Sequence, residues 1–141
     1  LSFNDIYRVS GSAMTAQTVR LNTIASNLAN AESPAASEAA TYKARRPVFA
    51  AIYQNSKLMD SPALAGARVQ VLDVVETGTA VRRYEPGNPL ANAQGHVFYP
   101  DINTVEEMAD MMSASRNFET NVEVLNSVKS MQQSLLRLGE A

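Results

Sequence analysis

The chain has 141 residues, 45% of them apolar and 18% charged, with a net charge of −2; this suits one folded unit and argues against wholesale disorder. It has no cysteine and a single histidine, His96, which rules out disulfides, thiolate chemistry and multi-histidine zinc sites. Near-neutral charge gives no general pull toward nucleic acid or acidic membranes, and no run of about 20 apolar residues is present to span a bilayer.

All six prolines fall between Pro34 and Pro100. Interior proline removes a helix donor and clashes with the preceding turn, so long helices are expected at both ends of the chain and not in its middle. The first helix is expected to start at Ser2, whose hydroxyl can cap the amide of Asp5 while Asp5 answers in a capping box. Alternating steps of three and four trace a seam through Phe3, Tyr7, Ser10, Met14, Gln17, Leu21, Ile24 and Leu28. A seam this narrow needs a partner helix. Ser10 and Gln17 are either tolerated polar positions or register-setting ones. Asn30 is expected to end the helix as a left-handed C-cap, with Ser33-Pro34 close behind.

Residues 32–40, rich in Ala, Ser and Glu, read as a loop. Thr41 to Ala50 reads as extended, because Pro47 disfavours helix and biases Arg46 toward β. Residues 53–67 hold Asn55-Ser56, Asp60-Ser-Pro62 and Gly66, and read as a long mobile connection. Arg68 to Glu76 is Val-rich and bounded by Gly66 and Gly78, a strand pattern. Its expected hairpin partner is Ala80 to Tyr84 across Thr77-Gly78-Thr79. Glu85 to Leu90 reads as a turn or an extended segment, and Gly95 to Pro100 as a short edge strand.

The last helix is expected to begin at Asn103 or Thr104, either with a Thr104–Glu107 capping box or with Asn103 as the cap. Glu106, Glu107 and Asp110 lie early and Lys129 and Arg137 late, which complements the helix dipole. Its apolar seam runs Met108, Met111, Ser115, Phe118, Val122, Leu125, Val128, Met131, Leu135 and Leu138. Two successive steps of three around Val128 shorten the repeat as a stammer does.

Little here suggests catalysis. His96 sits in a Gly/Pro-bounded segment without a recognisable nucleophile beside it and reads as a surface or sheet-edge histidine. Glu106-Glu107 could pair as carboxylates for acid/base work or a divalent ion, but in a first helical turn they read as serving the dipole. No Gly-rich phosphate loop is present. Lys43, Arg45, Arg46, Arg82 and Arg83 make the middle basic, while the C-terminal segment is acidic. The basic residues read as a solvated face or as a face meeting the acidic helix of another copy; without a stacking-aromatic pattern or a known module, nucleic acid is disfavoured. Apolar residues beyond one stripe on each helix (Ile6, Val9, Val19 and Ala25; Met112, Val124 and Leu136) point to contacts beyond a simple two-helix hairpin.

Ser26-Asn27-Leu28-Ala29-Asn30-Ala31, at the end of a long N-terminal heptad segment, resembles the signature of flagellar rod, hook and related axial proteins. Tyr42 to Phe49, Tyr84 to Ala91, Gly95 to Pro100, Val105 to Met108 and Ser115 to Glu119, together with the short length, are similar to the flagellar basal-body rod protein family, and within it to proximal rod subunits. The resemblance spans essentially the whole chain, with departures in loops 32–40 and 53–67.

It implies an α+β fold in which the terminal helices pair as a coiled coil around a small middle segment containing a β-hairpin. The expected organisation is an N-terminal axial helix at 1–31, a middle segment at 32–102 and a C-terminal axial helix at 103–141. It further implies a non-enzymatic structural subunit, exported without a cleaved signal by the flagellar type III apparatus. Such a subunit assembles helically in the periplasm with other copies of itself, other rod subunits and the rod-base adaptor, and transmits torque. No cofactor, small-molecule substrate or nucleic-acid partner is implied. Lys43, Arg45 and Arg46 are candidates for charge contacts between subunits, and Ser26 to Ala31 would mark the bend where the first helix leaves the coiled coil. The competing reading is a soluble helical-hairpin adaptor or secreted interaction module that never polymerises.

Overall fold

A computed structural model describes residues 2–53 and 67–140. The first helix, α1, spans Phe3–Asn30, and the last, α2, spans Thr104–Gly139. At 1.5 Å per residue they are roughly 42 and 54 Å long. Between them lie β1 (Ala44–Tyr53), β2 (Ala67–Thr77), β3 (Ala80–Tyr84) and β4 (His96–Pro100). The fold is α+β, as the sequence implied.

Both helix starts follow local chemistry. The Ser2 hydroxyl accepts from the Asp5 amide at 3.2 Å, and the Asp5 carboxylate accepts from the Ser2 amide at 2.9 Å, completing the capping box. At α2 it is Asn103 that caps, its side chain accepting from the amides of Val105 and Glu106, so the Thr104–Glu107 alternative does not form. The end of α1 differs from expectation. Its C-cap is Ala31, in right-handed helical geometry, so Asn30 is not a left-handed cap. Asn30 instead donates from its side chain to the Ser26 carbonyl at 2.8 Å, inside the last turn.

The expected hairpin is also corrected. β2 does not pair with β3 across Thr77-Gly78-Thr79. It pairs antiparallel with β1, Ala44 opposite Thr77 and Tyr53 opposite Ala67. β3 pairs antiparallel with β4, Ala80 opposite Pro100 and Tyr84 opposite His96. Gly78, at φ +92°, passes the chain from one two-stranded sheet to the other. The extended reading of 41–50 thus supplied the true partner of β2. The connection expected at 53–67 lies, apart from its two end residues, outside the described residues. A bulge between Val48 and Phe49 leaves Leu72 without an opposite number, which locally bends and twists the ribbon.

The helices run antiparallel: Tyr7 reaches Gln132, Arg20 reaches Asp110 and Asn27 reaches Glu107. Every member of the α1 seam from Phe3 to Leu28 is buried or half-buried. On α2 the shielded line is Glu107, Met111, Ala114, Phe118, Asn121, Leu125, Val128 and Gln132. This is an unbroken alternation of four and three, so the face packed on α1 has no stammer. Met111, Phe118, Leu125 and Val128 of the expected seam lie on it. Met108, Met131, Leu135 and Leu138 do not and are exposed in the single chain. The β1–β2 ribbon packs across another face of α1, where Val19 lines the contact with β2. Part of the apolar surplus of α1 is therefore covered within the chain.

A smaller lobe sits beyond the helix ends. Loop residue Ala35 exchanges two backbone hydrogen bonds with Phe98 of β4, at 2.8 and 3.0 Å. Gly95, at φ +76°, turns the chain into β4; a Cβ there would come within 2.9 Å of the Tyr84 ring. Tyr99 is buried, donates to Glu85 and lies 4.5 Å beneath the Arg83 guanidinium. Its burial, with Glu85 alongside, raises the phenol above its ordinary range. His96 packs edge-on against Tyr84.

Candidate assembly-subunit core and its polar clasp

Three segments far apart in sequence meet where α1 ends, β1 begins and α2 begins. Asn27 is at their centre and is fully buried. Its Oδ1 accepts from the Tyr42 hydroxyl at 2.9 Å and the Arg45 amide at 2.8 Å. Its Nδ2 donates to the Arg45 carbonyl at 3.0 Å and to Glu107 Oε2 at 3.2 Å. An amide side chain has two donor hydrogens and two acceptor lone pairs, and here all four are used. Toward Arg45 the amide behaves as a neighbouring strand would, pairing with both the N–H and the C=O of one residue. Tyr42 spends its proton on Asn27, so it accepts from the Ser26 hydroxyl at 2.9 Å.

Glu107 is only 1% exposed. A buried carboxylate is costly unless paired, and this one is paired on both oxygens. Oε1 lies 2.6 Å from Arg46 Nη2, and Oε2 takes the Asn27 donor. Arg46 also reaches Asp110 at 3.2 Å, and Asp110 reaches Arg20 at 3.3 Å. The chain of contacts therefore runs from β1 through α2 to α1.

This revises the reading of several expected residues. Glu107 does not simply serve the helix dipole; it is the buried anion of a clasp, while Glu106 beside it is exposed. The side chain of Arg46 pairs with Glu107 and Asp110 of its own chain. Arg45 stacks over Tyr42 at 5.7 Å and approaches Glu76 at 4.0 Å; both charges of that pair are well exposed, so it contributes little. Lys43 is exposed. The side-chain-to-backbone bonds of Asn27 go to Arg45 of β1 and not to its own helix.

Glu107 could have been found from the sequence: strict 3–4 steps backward from Leu125 through Phe118 and Met111 land on it. The more apolar Val122 and Met108 drew the seam aside.

At the far end of the helix pair the chemistry reverses. Beyond the Tyr7–Gln132 hydrogen bond, at 3.1 Å, lie half-buried Phe3 and exposed Met131, Leu135, Leu136 and Leu138. Leu136 is 70% exposed and Leu138 75%. Phe3, Leu135 and Leu136 border a shallow hollow there. Val105, Met108 and Met112 form a second exposed apolar stripe at the start of α2.

Two long terminal helices packed antiparallel, a small β ribbon laid across α1 and apolar residues left uncovered are the features of a building block that meets neighbours. Comparison with known proteins agrees. A family model described as flagella basal body rod protein matches residues 8–34, and one described as flagellar basal body rod FlgEFG protein C-terminal matches residues 93–138. The chain is 45% identical over 137 residues to the flagellar basal-body rod protein FlgC of Escherichia coli O6:H1, covering 96% of this chain and 97% of that one. It is 43% identical to FlgC of Salmonella typhimurium, with the same coverage. FlgC of Bacillus subtilis is 31% identical over 144 residues, covering 94% and 95%. The chain is a structural subunit of the flagellar basal-body rod. It belongs to the FlgC family.

Proposed function

We propose that the chain acts without catalysis, as a helically assembling element of the proximal rod that transmits torque. In this reading residues 1–31 and 103–141 form the axial unit and 32–102 an outer part. The observation that carries it is the uncovered apolar surface of α2, at Met131, Leu135, Leu136 and Leu138 and at Val105, Met108 and Met112. Exposed apolar clusters of this kind mark interaction sites. In this reading one patch meets the other patch on the next copy, and such heterologous contacts, where they do not close, generate helical tubes. The partners are other copies, other rod subunits and the rod-base adaptor, in the periplasm, after delivery by the flagellar export apparatus without a cleaved signal. Exposed Lys43 and Arg45 can add charge contacts between subunits.

The test is Leu28→Glu, which puts a charge on the α1 seam. It should leave synthesis intact and abolish rod assembly and motility. Cells that swim with this variant would refute the paired-helix assembly. Imaging of native basal bodies should show repeated copies around a central channel; a discrete binary complex would favour a non-polymerising adaptor.

A further inference from the structure

The face of α2 that packs on α1 nearly repeats itself every seven residues. Met111, Phe118 and Leu125 supply bulk at one position of the repeat, and Ala114, Asn121 and Val128 fill the other with smaller groups. On α1, Tyr7, Met14, Leu21 and Leu28 recur at the same spacing. Sliding one helix past the other by a heptad, roughly 10.5 Å, therefore lays bulk on bulk again. Apolar packing alone distinguishes these registers poorly.

The clasp distinguishes them sharply. Only in the observed register does Asn27 meet Glu107 and Arg20 meet Asp110. One heptad away, the Asn27 donor would face Ala114, and the Glu107 carboxylate would lose its contact with Asn27. A single polar residue in a helix seam is known to set register at some cost in stability. We infer that Asn27 and Glu107 are register-determining residues: the clasp selects which heptad of α2 lies against α1, and thereby positions β1 and the apolar tip relative to each other. The rival is the Ala35–Phe98 backbone tie, which also links the end of α1 to the segment leading into α2. The lock acts inside one chain, so its test is separate from that of rod assembly.

The chain has no native cysteine, so register can be read by thiol crosslinking. In the dilute full-length protein, Tyr7→Cys is paired in turn with Gln132→Cys, Leu125→Cys and Gly139→Cys, and a short bismaleimide is added. The parent should favour the 7–132 product by more than about tenfold over either slipped product. Asn27→Leu with Glu107→Leu removes the polar pair and keeps apolar volume; Arg46 retains Asp110. Helical circular dichroism should persist while the slipped products rise to within about threefold of the native one. A second variant transplants the lock by one heptad: Glu107→Ala and Ala114→Glu with Asp110→Asn and Asn117→Asp. It should make 7–139 the dominant product. A 7–132 product that stays dominant in either variant overturns the inference and assigns register to the Ala35–Phe98 tie. Loss of helical signal in the double-leucine variant also overturns it, since the clasp would then supply stability and not register.

Discussion

At one end of the helix pair, an amide is buried with all four hydrogen-bonding positions filled from within the chain, beside a buried carboxylate held by one hydrogen bond and one ion pair. At the other, several leucines and a methionine stand in solvent. The clasp itself draws all its partners from a single copy; the tip leaves its apolar side chains uncovered. A buried polar network is strongly geometric and tolerates few arrangements, so it suits a task that must be done identically in every copy. Apolar contact is non-directional, so it suits meeting neighbours that differ from one another. The contrast separates what shapes a subunit from what joins it to the next.

The contrast is broken most completely at the tip. Leu135→Lys with Leu136→Lys should eliminate swimming and rod assembly, yet change the urea midpoint of the purified chain only slightly, because exposed positions are usually within about 0.5 kcal/mol of neutral. Next comes Ile24→Ala, one turn before Asn27. Ile24 is 2% exposed, so its truncation should cost about 3 kcal/mol in equilibrium unfolding. Arg46→Ala should cost about 2 kcal/mol. It strands Glu107 without its cation, and the partial exposure of Arg46 lets water recover some of the loss. The smallest effect is Ser2→Ala, about 1 kcal/mol by thermal unfolding.

Ser2→Ala also carries a pH signature. The Ser2 backbone and side-chain hydrogen bonds hold the Asp5 carboxyl below its ordinary value. The unfolded chain then takes up that proton at a higher pH than the folded one. The contribution of the cap is full above the ordinary carboxylate range near pH 4, and fades as pH falls through the lowered folded value. In Ser2→Ala this acid-limb dependence should be weaker.

The sequence made local features legible and distant ones much less so. Ser2 with Asp5, Asn103 as a cap, the α1 seam and the extended stretch before Ala50 each depend on residues a few positions apart. The pairing of β2 was misread because Thr77-Gly78-Thr79 has the composition of a hairpin loop. Strand pairing depends on what β2 meets in space, and it meets β1 against α1. Glu107 was misread for a similar reason. Its sequence position, in the first turn of a helix, offered an adequate explanation, while its partners Asn27 and Arg46 lie 80 and 61 residues away. The resemblance motifs did contain the answer in separate pieces: Ser26 to Ala31, the segment from Tyr42 and the segment from Val105 are the three strands of one polar network.

The β1–β2 ribbon has one further consequence. A two-stranded ribbon has two open edges, each a template for pairing with a foreign strand. Here α1 touches both. Asn27 occupies the Arg45 backbone on one edge, and the Ser12 hydroxyl accepts the Val69 amide at 3.0 Å on the other. No additional strand can run the full length of either edge without displacing a helix side chain. The same α1 that packs on α2 thus also guards the ribbon against stray β-pairing.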